Sequence, residues 1–278
     1  VPKPAIQNNV DIKPQIPNYM VRNMIGSGGM GQVYKAVRGN KQYALKVAFP
    51  QNEAALKREG IMAIITAGHP NLVSVEDMGQ VEGKPFVVYE LLHGEDVKQL
   101  MAYGEKFDLE TTRIIIKEVA AALQHLHEVG VVHRDIKPEN IVVRIESNDE
   151  GEIQVKRVIL IDFGLMEVMT ESKSQDGLVF GTKGHMSPEQ ILGEELDGRS
   201  DIFTLGITLL EMLTGVNPFL AASLFETCIN VQEKAVPQDL IAPLPEYLQK
   251  IILKMLAKNR ADRYQSCGQL IADLNKIM

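Results

Sequence analysis

The chain has 278 residues, 45% of them hydrophobic, and a formal net charge of −7. That length supports one large domain or two lobes, and the acidic excess argues against a protein that coats nucleic-acid backbones, which needs a basic face. Cys228 and Cys267 are the only cysteines and form no C-x-x-C pair, which argues against a disulfide scaffold or a zinc site and fits a reducing, cytoplasmic setting.

Residues 1–18 carry Pro2, Pro4, Pro14 and Pro17 among polar neighbours and read as an extended lead-in. From Tyr19 the pattern becomes strand, glycine loop, strand in YMVRNMIGSGGMGQVYKAV and KQYALKVAF. A helix is expected over NEAALKREGIMAIITAG, opening on Asn52 as N-cap and closing at Gly68. Two further strands are expected in VSVEDMGQVEG and KPFVVYELL.

Beyond Gly94 the pattern is mostly helical. Ile115, Val119, Leu123 and Leu126 share one face of DLETTRIIIKEVAAALQHLHEVG, with Gly130 as the stop. Two short apolar strands, IVV and VILID, flank an acidic stretch. DIFTLGITLLEMLTG is apolar around its circumference, which predicts a buried central helix; Thr204, Gly206, Thr208 and Glu211 interrupt it too often for a bilayer span of ~20 apolar residues. A strand-rich first third followed by a helix-rich remainder predicts an α+β chain in two segregated lobes, with a boundary near residues 90–94. A chain opening on Val1 reads as a piece of a longer protein, whose anchor or leader would lie elsewhere.

GSGGMGQV places Gly26, Gly28 and Gly31 between two strands, where backbone amides can approach phosphate oxygens. A hairpin turn reads the same way, and a dinucleotide fold is disfavoured because strand-like QVYKAV follows where a helix should open. Lys46 sits among apolar residues of a strand, either facing solvent or needing a buried partner. Glu59, in the next helix, is such a partner or an ordinary exposed helix charge. HRDIKPEN, at 133–140, is more informative. Phosphoryl transfer needs a carboxylate for the attacking hydroxyl, a cation for developing charge and an amide oxygen for a metal. Asp135, Lys137 and Asn140 supply these in eight residues. Asp162, at the end of an apolar run and before Phe163-Gly164, is a hard oxygen ligand suited to Mg²⁺.

These motifs, with GTKGHMSPEQ, SDIFTLG and NRADRYQS in the same order, resemble the eukaryotic-type (Hanks-type) Ser/Thr protein kinase domain. The GGMGQVY and MSPEQ wording is most similar to bacterial Ser/Thr kinases. The resemblance covers nearly all of 19–278. It implies the protein kinase fold, with a small β-rich N-lobe over 19–91 carrying one regulatory helix, a hinge at about 90–94 and a larger helical C-lobe over 95–278.

By the same resemblance, ATP and Mg²⁺, with Mn²⁺ as a substitute, are the expected cofactors. The glycine loop, Ile25, Gly26, Ser27, Gly28, Gly29, Met30 and Gly31, would cover the phosphates. Val33, Ala44 and Val142 would enclose the adenine, Tyr89 would guard the pocket's back, and the backbones of Glu90 and Leu92 would bond the adenine edge. Lys46, held by Glu59, would touch the α- and β-phosphates, and Asn140 and Asp162 would hold the metal. Asp135 would orient the substrate hydroxyl and Lys137 would neutralise the γ-phosphate. Asp201 would brace the catalytic loop, and Glu189 would pair with Arg263. Lys137 and Thr182 mark serine/threonine preference. Autophosphorylation at Thr170, Ser172 or Ser174 would dock on Arg134, opposed by Glu167.

Departures from the family pattern are His185 for an aromatic residue, Lys183 for a proline, Phe203 for a tryptophan, a longer link from Asn140 to Asp162 and a shorter one from Lys46 to Glu59. The expected partners are protein substrates with Ser/Thr acceptors, with dimer formation open. Nucleic acid and membrane contact from this segment are not expected. The competing reading is a pseudokinase, a nucleotide-binding scaffold; Lys46, Asp135 and Asp162 speak against it.

Overall fold

Alternating apolar and polar residues give strands β1 (Met20–Ser27), β2 (Gly31–Arg38) and β3 (Lys41–Ala48) in the computed structural model, which describes residues 14–28, 30–103, 107–147, 153–168 and 183–276. Helix α1 (Glu53–Ile65) follows, then β4 (Val75–Val81) and β5 (Lys84–Glu90). The five strands pair antiparallel in the order β1-β2-β3-β5-β4. Glu82 and Gly83 both take positive φ, 51° and 79°, as a tight hairpin between β4 and β5 requires.

Strand periodicity separates the two faces of this sheet. Tyr34, Ala36, Tyr43, Leu45, Phe86 and Val88 join Ile16 and Tyr19 in a core on one face. Val33 lies opposite Lys46, and Ala44 opposite Tyr89, so these four residues share the other face.

Helix α1 opens at Glu53, directly after Asn52, as the sequence leads one to expect. A 3-10 turn, Pro50–Asn52, leads directly into it. Asn52 Nδ2 donates to the carbonyl of Met30 at 3.2 Å, beside the bond from Phe49 N to the same oxygen. The side chain thus holds the end of the glycine loop. The helix ends at Ile65, short of Gly68.

Contacts divide the chain into two units. One runs up to Lys57 and takes in Val75–Leu91; the other comprises Arg58–Ser74 and the chain from Leu92 onward. In the second unit, Asn71 and Val73 exchange backbone bonds with Leu160, and Asn71 Nδ2 donates to Val158 O at 2.8 Å, which fixes the segment after α1.

That unit continues with β6 (Glu95–Asp96), α2 (Val97–Ala102), α3 (Leu109–Glu128) and β7 (Val131–Val132). Next come β8 (Ile141–Ser147), β9 (Ile153–Leu160) and β10 (Glu167–Val168). Then follow α4 (Pro188–Leu192), α5 (Gly198–Thr214), α6 (Leu224–Glu233), α7 (Gln238–Ile241), α8 (Glu246–Met255) and α9 (Cys267–Leu274). β8 and β9 extend beyond the two apolar runs, because pairing continues through Arg144↔Arg157 to Ser147↔Ile153. Their outer halves alternate Ile145, Ile153 and Val155 with polar residues, and Ile145 pairs with Val155.

Asp108 caps α3 by accepting from Thr111 N at 2.6 Å, worth about 1 kcal/mol. Ile115, Val119, Leu123 and Leu126 are fully buried on its inner face, where α3 packs against α5 and α9. α5 is buried from Ser200 to Met212, capped by Asp197 and closed by Gly215 at φ 75°. A side chain at Gly206 would meet Met255 Cβ at 2.9 Å, so this glycine sets how closely α5 and α8 approach. No described helix is long and apolar enough to cross a membrane.

Candidate active site

The first unit places the expected nucleotide-facing residues along β1, β2, β3 and β5. Ile25, Gly26 and Ser27 close β1, and Gly28 N donates to Gly31 O at 3.0 Å across the loop. A Cβ on Gly31 would fall 2.2 Å from Val47 O, so only glycine lets β2 begin this close to β3. Gly26 pairs with Val33 in register. Val33, Ala44, Lys46 and Tyr89 thus share a face with the loop's root. Glu90 ends β5. Gly29 lies outside the described residues.

In the second unit the HRDIKPEN segment is drawn into one knot. Lys137 Nζ donates to Asp135 Oδ2 at 2.6 Å. Asn140 Nδ2 donates to the same oxygen at 3.0 Å and to Asp135 O at 2.7 Å. Asn140 closes a 3-10 turn, Pro138–Asn140, and its carbonyl accepts from Ile161 N, one residue before Asp162. With its Nδ2 engaged, the Asn140 side chain offers its amide oxygen, a hard ligand in character. Asp162 Oδ1 accepts from Gly164 N at 3.0 Å. Leu92 and Val142 are partly exposed, Val142 pairing with Ile159 in β8–β9. Glu59 is 2% exposed in α1.

Four non-glycine residues among those described take positive φ, and two are Arg134 at 72° and Asp162 at 70°. Each such residue costs about 1–3 kcal/mol and persists only where its surroundings over-determine it. Asp201, fully buried at the start of α5, accepts from His133 N and Arg134 N, both at 2.9 Å. His127 Nε2 lies 2.8 Å from Asp201 Oδ2; a carboxylate only accepts, so that nitrogen carries the proton. Burial alone would raise the Asp201 pKa, but the His127 contact and the His133 backbone hold it below the ordinary carboxylate value. Burial drives His133 the other way, below the usual histidine value.

Glu189 and Arg263 form the expected buried pair, at 2.7 and 3.0 Å, with Ser200 Oγ donating to the same carboxylate. Burial opposes ionisation of Glu189, and the Arg263 bonds overcome it, lowering its pKa. His185, where the family pattern has an aromatic residue, is buried with Nε2 2.9 Å from Glu211 Oε2. By geometry neither of these two atoms has a hydrogen-bond partner. Lys98 Nζ donates to the other Glu211 oxygen at 2.8 Å. Sequence reasoning missed the His127, Gln190 and Lys98 contacts; only Gln190 carried a local signal, the S-x-x-Q spacing of a capping box over 187–190. Thr170, Ser172, Ser174 and Thr182 lie outside the described residues, as does the Glu167 side chain.

The protein kinase domain family matches residues 19–273. The chain belongs to that family. Among similar proteins, a probable serine/threonine-protein kinase of Clostridium perfringens is 34% identical over 269 residues, 93% of this chain and 38% of that one. The serine/threonine-protein kinase Pkn3 of Myxococcus xanthus is 34% identical over 93% of this kinase domain and 50% of its own length. PknD of Mycobacterium tuberculosis is 32% identical over 94% of this chain and 40% of its own length. The kinase domain described here thus spans half or less of each of these relatives.

Proposed function

We propose that the chain transfers the γ-phosphoryl group of ATP to serine or threonine hydroxyls of protein substrates, including its own, in signalling. The observation that carries this reading is the knot in which Lys137 and Asn140 both converge on Asp135 while Asp201 holds the loop from below. The same-family relatives are named serine/threonine kinases, which supports the choice of acceptor.

In this reading Asp135 accepts a hydrogen bond from the acceptor hydroxyl and aims its oxygen at the phosphorus. The Lys137 ammonium, already at hydrogen-bond distance from Asp135, offsets charge that develops on the transferred group. Lys46 contacts the α- and β-phosphates, with Glu59 as the carboxylate that orients it. The backbone of Gly26, Ser27, Gly28, Gly29, Met30 and Gly31 covers the phosphates, and Ile25, Val33, Ala44, Tyr89, Glu90, Leu92 and Val142 receive the base. Asn140 and Asp162 supply hard oxygen donors of the kind Mg²⁺ prefers, one or two from protein and the rest from phosphates and water. The ion, Mg²⁺ with Mn²⁺ as substitute, neutralises phosphate charge when bound. Positioning and electrostatics therefore carry the catalysis. A cytoplasmic setting supplies ATP, and self-phosphorylation would bring two copies together transiently.

Incubation with Mg-ATP and a generic basic protein, followed by mass spectrometry, tests the reading. Phosphoserine or phosphothreonine on the protein substrate is expected; nucleotide binding with no phosphate transfer to any protein would overturn it.

A further inference from the structure

A capping box accepts glutamate or glutamine at its third helical position equally well, because only the side-chain oxygen is used. In α4 that position is Gln190. Its Oε1 accepts from Ser187 N at 2.9 Å and its own N–H donates to Ser187 Oγ at 3.3 Å, which completes the box. The remaining Nε2 donates to the carbonyl of Arg134 at 2.8 Å. A backbone N–H only donates and a carbonyl only accepts, so the orientation of this amide is dictated by its partners. Gln190 is 6% exposed and Ser187 fully buried. Glutamate could not serve both ends.

The carbonyl that Gln190 holds belongs to Arg134, in the left-handed region at φ 72°, directly before Asp135. The same residue's N–H donates to Asp201 Oδ1. Arg134 is therefore gripped on both sides, by α5 through its N–H and by α4 through its C=O. These helices are themselves joined by Ser200 donating to Glu189 and by Arg263 bonding both Glu189 and the Arg199 carbonyl.

We infer that Gln190 is a positioning residue for Asp135: its amide pins the carbonyl of the strained Arg134 and so fixes where the following carboxylate points. The segment that opens α4 and the loop that carries Asp135 are thereby one mechanical element. Rotation of the 134–135 peptide would release the backbone strain and swing the carboxylate from its place. Misplacement of a reacting group by about 1 Å costs on the order of 10²-fold. The inference rests on Asp135 being the residue that orients the acceptor hydroxyl.

Gln190→Glu keeps the oxygen for Ser187 N but sets a carboxylate against the Arg134 carbonyl. Gln190→Met keeps the volume and removes both bonds. Ser187→Ala weakens the cap and leaves the Arg134 contact in place. With kinetics read below the lowest thermal midpoint, both Gln190 variants are expected to lose about 10- to 100-fold in kcat with KM for Mg-ATP unchanged. Ser187→Ala is expected to lower the midpoint while holding kcat. The inference is overturned if Gln190→Met keeps kcat within about two-fold, if Ser187→Ala loses as much kcat as Gln190→Met, or if Gln190→Met does not fold. Asp135→Asn, assayed in parallel, separates the two levels. Full turnover there removes the role of Asp135 itself, whereas an inactive Asp135→Asn beside a fully active Gln190→Met removes only that of Gln190.

Discussion

Arg263 and Glu189 meet in the interior of the second unit through two parallel hydrogen bonds, although they stand 74 positions apart. The guanidinium also donates to the carbonyls of Ala257, Lys258 and Arg199, so each of its five N–H groups has an acceptor. Removing one member of a buried pair leaves the other uncompensated and costs about 3–5 kcal/mol. Arg263→Ala is expected to lower the stability of this unit by that amount in urea unfolding followed by circular dichroism. Pairing it with Glu189→Leu should recover only part of the loss, because the three carbonyls stay without their donor. A single variant within about 0.5 kcal/mol of wild type would show that the pair is not structural.

Asp135→Asn retains the volume and one oxygen but removes the charge that Lys137 and Asn140 converge on. Turnover should fall by about 10²–10⁴-fold, the scale of an orienting or proton-accepting group. Affinity for ATP, measured by calorimetry on the same preparation, should change little, since the contacts proposed for the nucleotide involve other residues. Unchanged turnover would remove Asp135 from its role.

Much of this site was legible because its chemistry is compressed. Asp135, Lys137 and Asn140 lie within eight residues, and their mutual bonds span no more than five positions. The buried helix α5 announced itself by apolar residues on every face. What could not be read is what folding alone brings together. His127 reaches Asp201 across 74 positions, Gln190 reaches Arg134 across 56, and Lys98 reaches Glu211 across 113. None of these pairs has a periodicity or spacing to betray it. The bond from Asn52 Nδ2 to the Met30 carbonyl, 22 positions away, is of the same kind. The outer halves of β8 and β9 hold only isolated apolar residues, Ile145, Ile153 and Val155, between polar ones, so ladder pairing rather than a continuous apolar run sets their length.

Asp162→Asn addresses the metal. A carboxylate held at positive φ, with one oxygen accepting from Gly164 N, has its second oxygen available as a hard ligand. Losing a charged contact worth about 1.5–3 kcal/mol corresponds to roughly 10–100-fold in affinity. Mg-ATP affinity should fall by that factor, while nucleotide affinity in excess chelator should not change between variant and wild type. Equal Mg-ATP affinities in the two proteins would mean that Asp162 is not a ligand.

Glu211 offers a test through pH. Burial by itself would raise its pKa, but the contact with His185 and the hydrogen bond from Lys98 bring it down from 4.5 to about 2. A carboxyl whose folded pKa lies below its unfolded value adds stability that is complete above the unfolded value and is lost as pH falls through it toward the folded one. The contribution of Glu211 should therefore be full above about pH 4.5 and decline between about 4.5 and 2. Glu211→Gln keeps the shape and has no proton to gain. Thermal midpoints of the two proteins should differ above about pH 4.5, with wild type higher, and should converge as the buffer is acidified below it. The double variant Glu211→Gln with Lys98→Met should behave nearly like Glu211→Gln alone, because the half-exposed Lys98 acts here mainly through this carboxylate. A midpoint gap that stays constant from neutral pH into the acid range would show that Glu211 is not held ionised by His185 and Lys98.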